Sequence, residues 1–156
     1  MPKLSGMLAI MLAAWGLPNL TYAQSAADQK AAKMVIENLF SAMIRADSAA
    51  LRACFAPGAI MQTIAMDSAG QTSVRTDGVD RFVKSVGAQA PGALDEQIKF
   101  GEVLIDGPLA TVWTPYSFYV KGTFSHCGVN AFQLVKMATG WKIQYIIDTR
   151  RKSPCP

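Results

Sequence analysis

The chain has 156 residues, 51% of them hydrophobic, and a formal net charge of +4. That length supports one domain with a substantial core and is too short for two. The mild positive excess comes mainly from Arg150-Arg151-Lys152, and without a basic stripe interleaved with aromatics it argues against a nucleic-acid surface.

Residues 1 to 23 read as a secretory signal peptide. Lys3 is the only charge before Asp28, the apolar run Met7 to Leu17 has h-region length, and Thr21-Tyr22-Ala23 supplies small residues for cleavage. The alternative is an uncleaved anchor; the lack of a cysteine directly after the apolar run argues against an acylated lipoprotein. Cleavage leaves residues 24 to 156, lowers the net charge by one, and predicts a periplasmic or secreted protein without stable membrane insertion.

From Ala26 to Ala46, Ile36, Leu39, Phe40, Met43 and Ile44 follow the spacing of an amphipathic helix. Asp47 or Ser48 caps a second, short helix carrying Leu51 and Phe55, which Pro57-Gly58 ends. Ile60 to Met66 reads as a strand, Ser68 to Gln71 as a turn, and Thr72 to Arg75 as a short return strand. Asp77 caps a third helix with Val79, Phe82, Val83 and Val86 on one side, and Gly87 to Gly92 is a loop. Long strands follow: Leu94 to Ile105, ended by Asp106-Gly107; Leu109 to Val120, ended by Lys121-Gly122; Thr123 to Lys136, ended by Ala138-Thr139-Gly140; and Trp141 to Arg150. Helices first and a meander after predict an α+β domain, with N-terminal helices packed on a strongly curved antiparallel sheet.

That order, closing on "GWKIQYIIDTRR", resembles the nuclear transport factor 2-like superfamily, over residues 27 to 155. The segment "VWTPYSFYVKGTFSHCGVNAFQLVKMATGWKIQYIIDTRRKSPC" further resembles its bacterial lumazine-binding-like branch. The resemblance implies a cone whose open end forms a small-molecule pocket. The superfamily holds ketosteroid isomerases, polyketide cyclases and dehydratases beside many non-catalytic binding proteins, so fold alone does not select an activity.

The turns predict the register. A two-residue turn at Lys121-Gly122 sets Trp113 opposite Asn130 and Ser117 opposite His126. A three-residue turn at Ala138-Thr139-Gly140 sets Asn130 opposite Asp148 and Gly128 opposite Arg150. Trp113, Ser117, Tyr119, His126, Asn130, Asp148 and Arg150 then share a polar and aromatic face, expected to line the pocket. The other face holds Val112, Phe118, Val129, Ala131, Val135, Ile143 and Ile147. The expected ligand contacts are Trp113 as a flat wall, His126 and Asn130 as hydrogen-bonding groups, and Asp148 with Arg150 as a charged mouth, beside room left by Gly128. Each also has a structural role open to it: Trp113 as core, His126 as a satisfied strand residue, Asp148–Arg150 as an ion pair.

His126 and Asp148 are the candidate general bases, although about 13 Å of strand offset separates them at the usual rise. Cys127 falls opposite Arg151, and a turn at Ser153-Pro154 brings Cys155 back toward it, which makes Cys127–Cys155 the candidate disulfide and leaves Cys54 as a buried hydrophobe. Without CxxC or Cys/His ligand spacing, neither a metal nor a cofactor is expected. The favoured function is a non-catalytic exported domain binding a small, partly aromatic ligand. The alternative is an isomerase, dehydratase or cyclase using His126 or Asp148. A third reading makes the outer sheet face a homodimer surface, which is frequent in this superfamily.

Overall fold

A computed structural model describes residues 26–67 and 69–156. The expected signal peptide, residues 1 to 23, lies outside the described residues. The elements run α1 (Ala26–Ile44), α2 (Ser48–Ala53), β1 (Phe55–Met66), β2 (Thr72–Gly78), α3 (Val79–Gly87), β3 (Leu94–Ile98), β4 (Val103–Asp106), β5 (Leu109–Val120), β6 (Thr123–Met137) and β7 (Gly140–Thr149). They form the expected α+β domain, with the helices on the inner face of one 7-stranded sheet, six strands running in the order β2-β1-β7-β6-β5-β3 and the seventh, β4, pairing with β5.

The sheet is mixed, because β1 lies parallel to β7 while the other pairs are antiparallel. An antiparallel meander from β3 onward leaves the long β7 with a free edge. The chain fills it by crossing back to β1, which follows the helices.

Helix α1 buries Ile36, Leu39, Phe40 and Met43 against the sheet, whereas Ile44 turns out to solvent at 39% exposure. Its N-terminal turn is tied to the sheet through Asp28, whose carboxylate accepts from Lys136 Nζ at 2.6 Å and from the indole of buried Trp141 at 3.2 Å. Helix α2 is capped by Asp47, which accepts from the Ala50 amide at 2.9 Å. It ends earlier than expected: Phe55 already belongs to β1, and Pro57-Gly58 lies within an irregular stretch of that strand, with Gly58 at φ 70°. Helix α3 starts after Gly78 without a side-chain cap, and Asp77 instead binds Arg75 and Arg81.

The single strand expected over Leu94 to Ile105 divides into β3 and β4. The ladder fails opposite Pro115, which accepts from the Lys99 amide at 2.9 Å but has no N–H to return. Gly101 crosses the gap, its amide donating to the Trp113 carbonyl at 2.8 Å.

Both later turns are two-residue turns. Lys121 and Gly122, at φ 50° and 76°, lie between the paired Val120 and Thr123 as expected. Ala138-Thr139 lies between Met137 and Gly140, one residue shorter than expected.

Each long hairpin carries one irregularity. Between β5 and β6, Tyr119 faces Phe124 but Phe118 faces His126, which makes Ser125 an extra residue. Between β6 and β7, Leu134 faces Ile143 but Gln133 faces Tyr145, which makes Gln144 the extra one. Such bulges bend and twist their strands.

Candidate functional site

The Ser125 bulge decides which side of β5 faces inward. The expected partner of Asn130 was Trp113, but the observed partner is Thr114, and Trp113 faces Ala131. A one-residue slip turns every side chain of a strand over. Trp113 therefore lies on the outer face at 49% exposure and does not line the cavity, and Ser117 shares its side of the strand. Tyr119, beyond the slip, packs its ring on Phe124 at 5.9 Å between centroids and is likewise outside the cavity lining. Val112, Tyr116 and Phe118 face inward in their place, with Ile143 joining the core through the Gln144 bulge.

The inward faces of β1, β2, β3, β5, β6 and β7, with α1 and α3 above them, line an open-mouthed cavity of about 360 Å³. Its apolar side is built by Leu39, Phe40 and Met43 of α1, Phe82 of α3, Phe55 and Ile146. Of the expected ligand contacts, His126, Asn130, Asp148 and Arg150 all line it. Asn130 faces Asp148 across the β6–β7 pair, the register expected, although a shorter turn and a bulge produce it in place of a longer turn.

Asp148, 7% exposed, accepts from Arg150 Nε at 2.7 Å and from the Tyr116 hydroxyl at 3.2 Å. Tyr116 also reaches the Thr149 carbonyl at 2.9 Å, and Arg150 Nη2 donates to Thr63 Oγ1 at 3.2 Å. Burial and then the Asp148 and Glu96 charges push the Tyr116 phenol well above its usual range. The phenol therefore keeps its proton, which is shared between the Thr149 carbonyl and Asp148.

Glu96 is a lining residue that was not among the expected ligand contacts. It sits on β3 opposite Phe118, facing the cavity, and accepts from Asn130 Nδ2 at 2.7 Å. Burial, with the Asp148 charge in the same direction, raises its carboxyl to about 7 against the opposing Asn130 hydrogen bond. Its signal was present: Leu94, Glu96 and Ile98 alternate along one strand face, placing a carboxylate between two core-packed residues. Asn130 itself is 4% exposed and bonded, as a buried amide must be.

His126 packs edge-on to Tyr116 at 5.7 Å and tilted against Phe118 at 5.1 Å, and its Nδ1 is 3.1 Å from Ser125 Oγ. Burial and the Arg150 charge hold its pKa below the usual value, which favours a neutral ring at neutral pH. Gly128 leaves no room beside Arg150, contrary to expectation: a Cβ there would collide with the Thr149 carbonyl. Among the described residues no group of three His, Cys, Asp or Glu side chains stands together to hold a metal. A disulfide joins Cys127 to Cys155 behind the wall that carries His126 and Arg150, and Cys54 is buried and free.

No protein-family model and no curated protein matches the sequence. Solved structures do. A nuclear transport factor 2-like protein of unknown function from Shewanella baltica aligns with TM-score 0.64 and 15% identity over 81% of this chain and 96% of its own. A cystatin-like-fold domain from Nostoc punctiforme aligns with TM-score 0.64 and 17% identity over 83% and 80%. A ketosteroid isomerase-like protein from Erwinia carotovora atroseptica aligns with TM-score 0.59 and 18% identity over 83% and 100%. At such identities the likeness concerns architecture, and it agrees with the helix-lined cone: this chain has the nuclear transport factor 2-like, or cystatin-like, fold.

Proposed function

We propose that the chain is an exported domain that binds a small, partly aromatic molecule inside its cone. The observation that carries this reading is the cavity of about 360 Å³, which joins an apolar side to one polar wall. Its size falls among small-molecule sites, commonly about 300–1,000 Å³ with a few placed polar groups. Asn130, His126, Asp148 and Arg150 would be ligand-facing, joined by Glu96 and Phe118 in the role first expected of Trp113. The leader-like residues 1 to 23 support export to a periplasm or beyond, and the Cys127–Cys155 bridge suits an oxidising compartment. No helix of the described residues is long and apolar enough to cross a membrane. The resemblance of residues 112–155 to the lumazine-binding-like branch is in keeping with a partly aromatic ligand. Half-exposed Trp113 on the outer sheet face supports its use in pairing two copies.

A second reading rests on Glu96. A carboxyl at about 7 gives and takes protons readily at neutral pH, as an isomerase, dehydratase or cyclase requires. In this reading Glu96 replaces Asp148, whose carboxylate is already engaged by Arg150 and Tyr116, and His126 is the second proton carrier.

Native mass spectrometry on protein purified from its own host tests both. The binding reading expects a retained small mass that is released unchanged on denaturation. Conversion of that molecule during incubation would favour the enzyme reading, and protein whose cavity residues are inert to every small-molecule probe would overturn both.

A further inference from the structure

The carboxyl groups of the cavity differ in one respect. Asp148 is paired with Arg150 at 2.7 Å, and Asp77 with Arg75 at 3.1 Å and with Arg81. Glu96 has no such partner. Its bond is to the neutral Asn130 amide, and among the described residues no basic nitrogen lies within ion-pairing distance of it. The Arg150 charge reaches Glu96, but that guanidinium is held by Asp148 and Thr63. His126 is kept neutral by burial and by the Arg150 charge, so it supplies no cation at neutral pH.

Glu96 is half-buried, a partly desolvated carboxylate gains from a cation beside it, and the space next to it is the cavity itself. The lining includes the rings of Phe40, Phe55, Phe82, Phe118 and Tyr116, whose faces attract positive charge. Of the cations along the lining, Arg150 is held by Asp148, while Arg75 and Arg81 share the single Asp77 carboxylate and are themselves largely exposed, which leaves them screened by solvent.

We infer that the cavity takes a small aromatic amine, whose ammonium group pairs with Glu96 while its ring lies among the aromatic side chains. This rests on the binding reading above and specifies the charge of the ligand.

Three probes with one ring system separate the possibilities: tryptamine, cationic; tryptophol, its uncharged counterpart; and indole-3-acetate, anionic. Each is titrated by calorimetry into the full, disulfide-bonded mature chain and into Glu96→Gln. A charge-assisted hydrogen bond in a shielded site corresponds to roughly tenfold or more in affinity. Tryptamine should therefore bind the wild type at least about tenfold more tightly than tryptophol, with indole-3-acetate weakest. In Glu96→Gln the tryptamine advantage should fall to within about threefold, with tryptophol unchanged.

Equal binding of tryptamine and tryptophol by the wild type would overturn the charge inference and leave small-molecule binding intact. So would an advantage that survives in Glu96→Gln. If none of the three binds, the inference fails with the reading beneath it. The wild-type series decides the question by itself should the variant not fold.

Discussion

At the scale of single residues, Glu96 makes folding depend on pH. Its folded carboxyl titrates near 7 and its unfolded one in the usual carboxylate range, so the folded state holds the proton more tightly. The stabilisation is complete below the unfolded value and is lost as pH rises through about 7. Unfolding by urea should show stability falling by up to about 3 kcal/mol between pH 4.5 and 7.5 on this account, with Glu96→Gln removing that slope. An unchanged slope in the variant would assign the proton elsewhere.

Thr114 gives a second test at this scale. Its hydroxyl is fully buried beside Asn130 without a hydrogen-bond partner. Thr114→Val keeps the shape and removes the orphaned group, so it should stabilise the fold by about 1 kcal/mol in the same urea measurement. Of the residues lining the site, Asn130, His126, Asp148 and Arg150 were legible because an amide, an imidazole and an ion pair stand out among apolar strand residues. Glu96 was legible in the same way, but it lay in a segment read as one long strand with no assigned face.

At the scale of elements, the positions of the turns could be read and the bulges could not. Lys121-Gly122 announces a tight hairpin, because glycine tolerates the positive φ that the turn demands. Nothing local marks Ser125 or Gln144 as the residue left over, since a bulge is selected by how the whole sheet must curve. One bulge inverted the expected side of β5 and carried Trp113 outside. The other compensated for a turn one residue too short and preserved the Asn130–Asp148 pair. The β3–β4 break was readable in principle from Pro115, but only once that proline was known to face β3.

The close approach at Gly128 is an element-scale constraint as well. A methyl group there would meet the Thr149 carbonyl and the Tyr116 ring. Gly128→Ala should therefore part the ends of β6 and β7 and destabilise the protein by about 3 kcal/mol or more in thermal or urea unfolding. Wild-type stability in that variant would show that the strands have room to separate.

At the scale of the whole molecule, the helices cover one face of the sheet and the disulfide secures its end. The Cys127–Cys155 bridge closes a loop of 28 residues in sequence separation. Loop-closure entropy gives such a bridge roughly 3 to 4 kcal/mol. The double variant Cys127→Ser, Cys155→Ser should lose about that much stability in urea unfolding. Cys54→Ala should leave the bridge untouched, as thiol counting on the unreduced protein would show. The class of fold was legible because helix spacing and turn residues are local signals. The parallel β1–β7 pair was not, because it joins segments more than eighty residues apart through the closing of the cone.

On this reading a small molecule enters the concave face of the sheet and not its outer face. Backbone amide shifts of the labelled protein titrated with tryptamine distinguish the two faces. Binding in the cone should give changes centred on Glu96, Phe118, Asn130 and Asp148. Changes centred on Trp113, Ala131 and Ile147 across the sheet would contradict it.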